Sequence, residues 1–224
     1  MESAVRNAGY IMGMLIVLNT LGTAEYGGYG VAMTILWLIF LIPVLGLGEA
    51  TNIAIGNEYG KHDLRGMKNI QVVSLAIMGS YMAAVIVAGV FIWQPLSQFF
   101  NQNPSIVEYS GLTFQYLAIP YLFYALGTAM RSLLIGTGKT SYYLIPSMVV
   151  NLGIYIPLGI LVKANVYAPT FAEAMGISSF VFAIDLVIVT ALVRKHYRNL
   201  EEELSGKTEL SMDEGKDTAL AEAL

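Results

Sequence analysis

Six apolar stretches of roughly 20 residues, separated by short polar connections, run along the chain at about 3–22, 29–56, 69–94, 110–135, 142–163 and 172–193. At ~1.5 Å rise per residue, a helix of about 20 residues crosses a hydrocarbon core ~30 Å thick. Each stretch is predicted to be a helix, because an open sheet would leave backbone groups unpaired in lipid. The pattern therefore predicts an all-α integral membrane protein, with six transmembrane helices in residues 1–198 and a polar tail over 199–224. The second stretch is longer than one span needs, and Pro43 with Gly46 and Gly48 is expected to bend it. Turn residues mark the connections: Gly27-Gly28, Gln102-Asn103-Pro104, and Gly136-Thr137-Gly138.

Composition agrees with lipid as the main solvent, since 56% of residues are hydrophobic and 12% charged, against roughly 25% charged in soluble domains. The net charge of −4 is a property of the tail, because eight of the sixteen acidic residues lie between Glu201 and Leu224. That tail has no apolar period and is expected to be disordered and cytoplasmic. Basic residues collect on one side of the predicted spans. Lys61, Arg65, Lys68, Lys139, Arg194, Lys195 and Arg198 follow the second, fourth and sixth helices, whereas only Lys163 lies on the other side. By the positive-inside rule both termini are cytoplasmic, which six spans allow, and the expected location is the cell membrane. Tyr26, Tyr29, Trp93, Phe99, Phe100 and Tyr167 then fall near the external interface, as a belt of amphipathic aromatics would.

Several chemistries are set aside. With no cysteine there is no disulfide framework or thiolate metal site. Met1 is followed at once by Glu2 and Arg6, so no cleavable signal peptide is visible. Gly138-Lys139-Thr140 lacks the earlier glycine of a phosphate-binding loop, Leu133 standing there, and follows a predicted helix where that motif follows a strand. His62 and His196 lie in polar stretches without partners at metal-ligand spacing and are expected to be solvated. No nucleophile–base or metal pair points to an enzyme, no cofactor is expected, and nucleic acid is not among the expected partners.

The run Pro43-Val-Leu-Gly-Leu-Gly-Glu-Ala-Thr-Asn-Ile-Ala-Ile-Gly-Asn-Glu-Tyr-Gly-Lys61 is the most specific feature. It resembles a signature of the multidrug and toxic compound extrusion (MATE) transporters, in which Pro-x-x-Gly-x-Gly-x-Ala-Thr ends a helix that enters a basic cytoplasmic loop. Gly56 and Gly60 stand as the loop glycines, with Lys61, Arg65 and Lys68 as the charges. Leu21-Gly22-Thr23-Ala24 leading into Tyr29-Gly30-Val31-Ala32-Met33 is similar too, and the Gly136–Thr140 exit adds a weaker match. The resemblance covers nearly all of residues 1–200. It implies one six-helix lobe, the C-terminal one, of a twelve-helix protein whose two lobes face each other across a cavity. Met1 falls inside that lobe's first helix, so the expectation is a fragment, a split gene product or a natural half-transporter. A second lobe, either an N-terminal half or another copy of this chain, is the expected partner, along with a small-molecule substrate and the bilayer.

Polar residues inside the spans carry the candidate chemistry, because an ionisable group in the bilayer is costly and marks a pathway, a relay or a paired structural site. Asp185 sits mid-helix in Phe182-Ala-Ile-Asp185-Leu-Val-Ile and should face the interior or a cavity, protonated or paired; it is a coupling candidate against a purely structural hydrogen bond. Arg131 either snorkels to the inner interface or pairs with a buried acid. Tyr116, Pro120, Tyr124, Gly127 and Arg131 recur at steps of four and three on one helix face. That stripe could line a cavity for flat organic cations or serve as ordinary packing. Tyr29, Met33 and Trp37 form a second such stripe.

Glu49 and Asn52 lie in the signature, where a gate or structural contact is expected, with Gly46 and Gly48 permitting close helix approach. Asn151, Gly153, Tyr155 and Pro157 interrupt the fifth helix near the midplane, either as a binding site or as a simple kink. Gly9 and Gly13 give the first helix a Gly-x-x-x-Gly face, with Arg6 and Asn7 near its inner end. In one sodium-coupled MATE branch this lobe carries acids on its first and fourth helices; the corresponding positions here hold Asn7 and Tyr124. Neither is acidic, which leaves Asp185, and Glu2 at the very end of the chain, as the acids that could substitute. The resemblance implies export of drugs or organic cations by antiport with Na⁺ or H⁺ through alternating access. A lipid-linked oligosaccharide flippase and a truncated non-transporting membrane protein are the alternatives.

Overall fold

The structure, a computed structural model, describes residues 16–222, without the side chains at 143 and beyond 203. It contains helices and no strand among the described residues. We number the helices α1 (Ile16–Leu18), α2 (Thr23–Gly60), α3 (Leu64–Phe100), α4 (Pro104–Gly136), α5 (Thr140–Lys163) and α6 (Phe171–Glu222). Five of these, α2 to α6, are long and apolar enough to cross a bilayer, making this a multi-pass membrane protein. Of the first predicted span only α1 is described, so Glu2, Arg6, Asn7, Gly9 and Gly13 lie outside the described residues.

Local chemistry explains the helix starts. Asp63 caps α3 by accepting from the Gly66 N–H at 2.9 Å, and Asn103 caps α4 by accepting from the Ser105 N–H at 3.0 Å, with Pro104 in the first turn. Ahead of α6 the Thr170 N–H donates to Glu173 Oε2 at 2.7 Å, while the Glu173 N–H points back at Thr170 Oγ1 at 3.4 Å, a capping box. At the other end of α2, Lys61 Nζ lies 2.8 Å from Glu58 Oε1; the hydrogen bond and the carboxylate charge raise the lysine pKa above its ordinary value.

Proline shapes two of the spans by one device. In α2 the residues Leu36–Leu41 wind as a π-helix, the Ile42 N–H reaching five residues back to the Trp37 carbonyl, and Pro43 follows. In α5 the residues Asn151–Tyr155 do the same, the Ile156 N–H bonding the Asn151 carbonyl, and Pro157 follows. A wider turn accommodates a residue that has no N–H and whose ring crowds the carbonyl four positions back. The predicted bend in α2 and the break in α5 are thus π segments placed just before the proline.

The carbonyls that Pro43 and Pro120, the proline inside α4, cannot serve are met by hydroxyls from neighbouring helices. Pro43 has no N–H for the Ile39 carbonyl, and Tyr81 Oη on α3 donates to it at 2.5 Å. Pro120 has none for the Tyr116 carbonyl, and Ser179 Oγ on α6 donates to it at 2.9 Å. Each bond meets a backbone acceptor that lipid could not satisfy.

The core centres on α4, which packs against α2, α3 and α6. It includes Phe40, Met78, Met82, Phe114, Tyr121, Met175 and Val181, all buried. Two aromatics expected at the external interface belong to it: Tyr29 is 7% exposed and Trp93 4%. Trp93 stacks on Phe114 with ring centroids 4.2 Å apart, and its Nε1 donates to the Ser110 carbonyl at 3.0 Å. A satisfied indole N–H removes the penalty that holds tryptophan at an interface. Tyr26, Phe99 and Phe100 are exposed as expected.

His196 departs from expectation as well. It is 2% exposed, its Nε2 2.7 Å from Thr137 Oγ1 and its ring edge-on to Tyr142. The reason is helical periodicity: α6 continues past Arg194-Lys195, and Val189, Val193, His196 and Leu200 recur at steps of four, three and four on one buried face. His62 is exposed, with a φ of 57° at the turn out of α2. The tail read as disordered continues α6 as helix to Glu222. Glu, Lys, Leu and Ala, all good helix formers, dominate it, and Glu203 and Lys207 stand four apart.

Candidate functional site

Two ionisable residues inside the spans, Arg131 and Asp185, meet at the seam between α4 and α6. On α4, Tyr124, Gly127 and Arg131 follow at steps of three and four; on α6, Phe182 and Asp185 are three apart. These spacings place each set on one helix face, and the two faces meet. Arg131 Nη2 donates to Asp185 Oδ2 across the seam, the two side chains being 10% and 16% exposed. Gly127 lies against the pair, and a methyl group there would stand 3.6 Å from Arg131 Nη1 and 3.7 Å from Asp185 Oδ2, in ordinary van der Waals contact.

The ion pair explains how two charges stand in an apolar seam. Arg131 is five residues from the C-terminal end of α4, about 7.5 Å of helix. Instead of extending toward the interface, it turns to a carboxylate one seam away. Attraction at low dielectric compensates the desolvation of both groups, and removing either leaves an uncompensated charge. Asp185 is therefore a paired acid, one of the two states its sequence position allowed.

Aromatic rings continue the seam away from the ion pair. Phe182 meets Tyr124 edge-on with centroids 6.0 Å apart, and meets Tyr121 at 5.5 Å. Tyr121 in turn stands edge-on to Phe40 at 6.2 Å and points its hydroxyl at Met33 Sδ, 3.7 Å away. One turn beyond Phe182 lies Ser179, bonded to the Tyr116 carbonyl. The rings pack on one another along the seam, and Tyr121 is buried among them.

Met33, Tyr124, Arg131 and Asp185 are thus drawn into one neighbourhood, and Tyr116 joins it through its backbone. Trp37 is 53% exposed on the outer face of α2 and Tyr116's own ring is 38% exposed. Asn151 is buried in the π segment of α5. Glu49 is exposed and takes a 3.3 Å hydrogen bond from Asn52 Nδ2. Sequence reasoning missed Tyr121 and Phe182. Phe182, one turn before Asp185, carried a usable signal; Tyr121 falls off the Tyr116–Arg131 stripe and carried none.

The signature segment packs on the C-terminal half of α4. A methyl group on Gly48 would lie 2.9 Å from Thr128 Cγ2, and one on Gly136 would lie 2.8 Å from the Asn52 carbonyl oxygen. These two glycines let the helices approach closely. Gly46, expected to share that role, has nothing within 4 Å. Ser132 Oγ donates to the Gly48 carbonyl at 3.3 Å, and Thr51 Oγ1 lies 2.8 Å from Ser74 Oγ on α3.

Among known proteins, the MatE family matches residues 1–161, which reach from the N-terminus through nearly all of α5 and include Arg131 but not Asp185. A probable multidrug resistance protein NorM from Thermotoga maritima is 25% identical over 159 residues, covering 66% of this chain and 32% of the relative. A protein of the same description from Rhizobium meliloti is 36% identical over 70 residues, covering 31% of this chain and 15% of the relative. The chain therefore spans a third or less of the length of these relatives.

Proposed function

Because the chain belongs to the MATE family of membrane transporters, we propose that it forms the C-terminal six-helix lobe of a secondary active exporter of drugs or other organic cations, coupled to Na⁺ or H⁺. A second lobe, from an N-terminal half or another copy, closes a central cavity in the cell membrane, and both termini of this lobe are cytoplasmic. The observation that carries the reading is the Arg131–Asp185 pair, held inside the spans beside the Tyr124–Phe182 aromatic contact.

In the resting lobe the pair ties α4 to α6. Na⁺ or H⁺ arriving at Asp185 neutralises the carboxylate and releases the guanidinium, which lies near enough to the inner end of α4 to reach the interface. The seam then has a second packing, and a lobe with two packings biased by ion binding is what alternating access requires. Tyr124, Tyr121, Phe182 and Met33 supply aromatic and thioether surface for a flat cation on the same seam. Drug and coupling ion compete for one region, so the export of one exchanges for the import of the other. A lipid-linked oligosaccharide flippase needs a cationic cavity to hold diphosphate, and the guanidinium of Arg131 is already engaged by Asp185.

The test is transport by vesicles carrying the lobe with the lobe that completes it. A fluorescent organic cation should accumulate when a Na⁺ or H⁺ gradient is imposed and stop when the gradient is dissipated. Uptake indifferent to both gradients would sink the antiporter reading.

A further inference from the structure

A groove of about 710 Å³ opens between the start of α3 and the inner end of α6, away from the α4–α6 seam, and is lined by Lys68, Arg194, Lys195, Tyr197, Arg198 and Glu201 with Ala191 at its deep end. Four cations face one carboxylate there. Along α6 the positions 191, 194, 195 and 198 follow at steps of three, one and three, so the cations share one helix face. Tyr197 lines the same groove through its ring, its hydroxyl being buried out of the groove's reach. A ligand that matches these cations is an anionic acceptor.

The groove's surroundings specify the acceptor. One to two turns deeper on α6, on the same face, Val187 is 68% exposed, and Phe180 two turns beyond that is 64% exposed. On the facing wall Lys68 is followed one turn deeper by Val72, 58% exposed. Both walls thus pass from cationic to exposed apolar within a turn, just where the apolar run of α6 ends. A soluble phosphate would use the cations and leave that apolar surface unmatched. A phospholipid matches both, with its phosphate among the guanidinium and ammonium groups and its acyl chains along Val187, Phe180 and Val72.

We propose that this groove binds the phosphate headgroup of an anionic glycerophospholipid of the inner leaflet, with Arg194, Lys195, Arg198 and Lys68 as the cationic wall. Arginine supplies bidentate contacts to phosphate oxygens, and Glu201 lines the groove beside the cations.

The experiment is native mass spectrometry of the full chain released from detergent micelles carrying cardiolipin or phosphatidylcholine. The wild-type chain should retain cardiolipin at least tenfold more than phosphatidylcholine. The double variant Arg194→Gln/Arg198→Gln should lose at least fivefold of that retention, while Lys139→Gln, which removes a cytoplasmic charge outside the groove, should not. Lys68→Gln, on the facing helix, should lower retention about twofold, which tests the site even where the double variant folds poorly. Equal losses in the groove variants and in Lys139→Gln would overturn the proposal by showing a diffuse charge effect. Displacement of cardiolipin by millimolar inorganic phosphate would overturn the lipid assignment in favour of a soluble anion.

Discussion

Tyr81 on α3 donates its hydroxyl, at 2.5 Å, to the carbonyl of Ile39 on α2, the carbonyl that Pro43 cannot serve. The bond makes a tyrosine of one helix the repair for a proline of another. Tyr81→Phe should destabilise the fold by about 0.6–1.7 kcal/mol, the range for interhelical hydrogen bonds in membranes. In a Pro43→Ala background, residue 43 regains an N–H and the same substitution should cost close to nothing. Thermal unfolding of the four proteins in detergent gives the cycle, and equal costs of Tyr81→Phe in both backgrounds would contradict the account.

The ion pair between α4 and α6 is expected to show the same kind of coupling with larger losses. Arg131→Leu alone and Asp185→Leu alone should each destabilise by about 3–5 kcal/mol, because each strands the opposite charge. The double substitution should recover most of that loss. Denaturation midpoints of the three variants check it; additive losses would mean that the two charges do not compensate each other.

Close packing of the signature on α4 predicts a contrast between glycines. Gly136→Ala forces a methyl group to 2.8 Å from the Asn52 carbonyl oxygen and should cost about 1–3 kcal/mol as the helices separate. Gly46→Ala meets nothing within 4 Å and should be tolerated. Comparable losses of folded protein at both positions would remove the packing role from Gly136.

The absence of native cysteine makes the orientation easy to measure. A single cysteine at His62, exposed between α2 and α3, should react with an impermeant maleimide only in inside-out membranes. One at Gln102, in the turn between α3 and α4, should react only in right-side-out cells. The reverse pattern would invert the lobe.

How much of this could be read from the sequence depends on how local the cause is. The spans were legible because apolar length reports the bilayer directly, and Asp185 stood out because a charge in an apolar run needs an explanation wherever it lies. That its partner is Arg131, 54 positions away, is a tertiary fact that no spacing within one helix contains. Trp93 and Tyr29 pack into the core because an amphipathic ring can be buried wherever its polar end is satisfied, and only the structure supplies Ser110 as the acceptor for Trp93. His196 was misread because its neighbours in sequence are charged, whereas its neighbours along the helix face are Val189, Val193 and Leu200. Pro43 and Pro157 announced bends, but the π segments and the Tyr81 contact depend on what packs alongside.

The central claim is that Asp185 couples ion to drug, and Asp185→Asn tests it most directly. In vesicles carrying the completed transporter, the variant should still exchange labelled organic cation for unlabelled when no gradient is present, because the aromatic seam is intact. Its gradient-driven transport should fall at least tenfold at equal protein level. Gradient-driven transport at the wild-type rate in Asp185→Asn would contradict the coupling role and leave the Arg131–Asp185 pair as a structural tie.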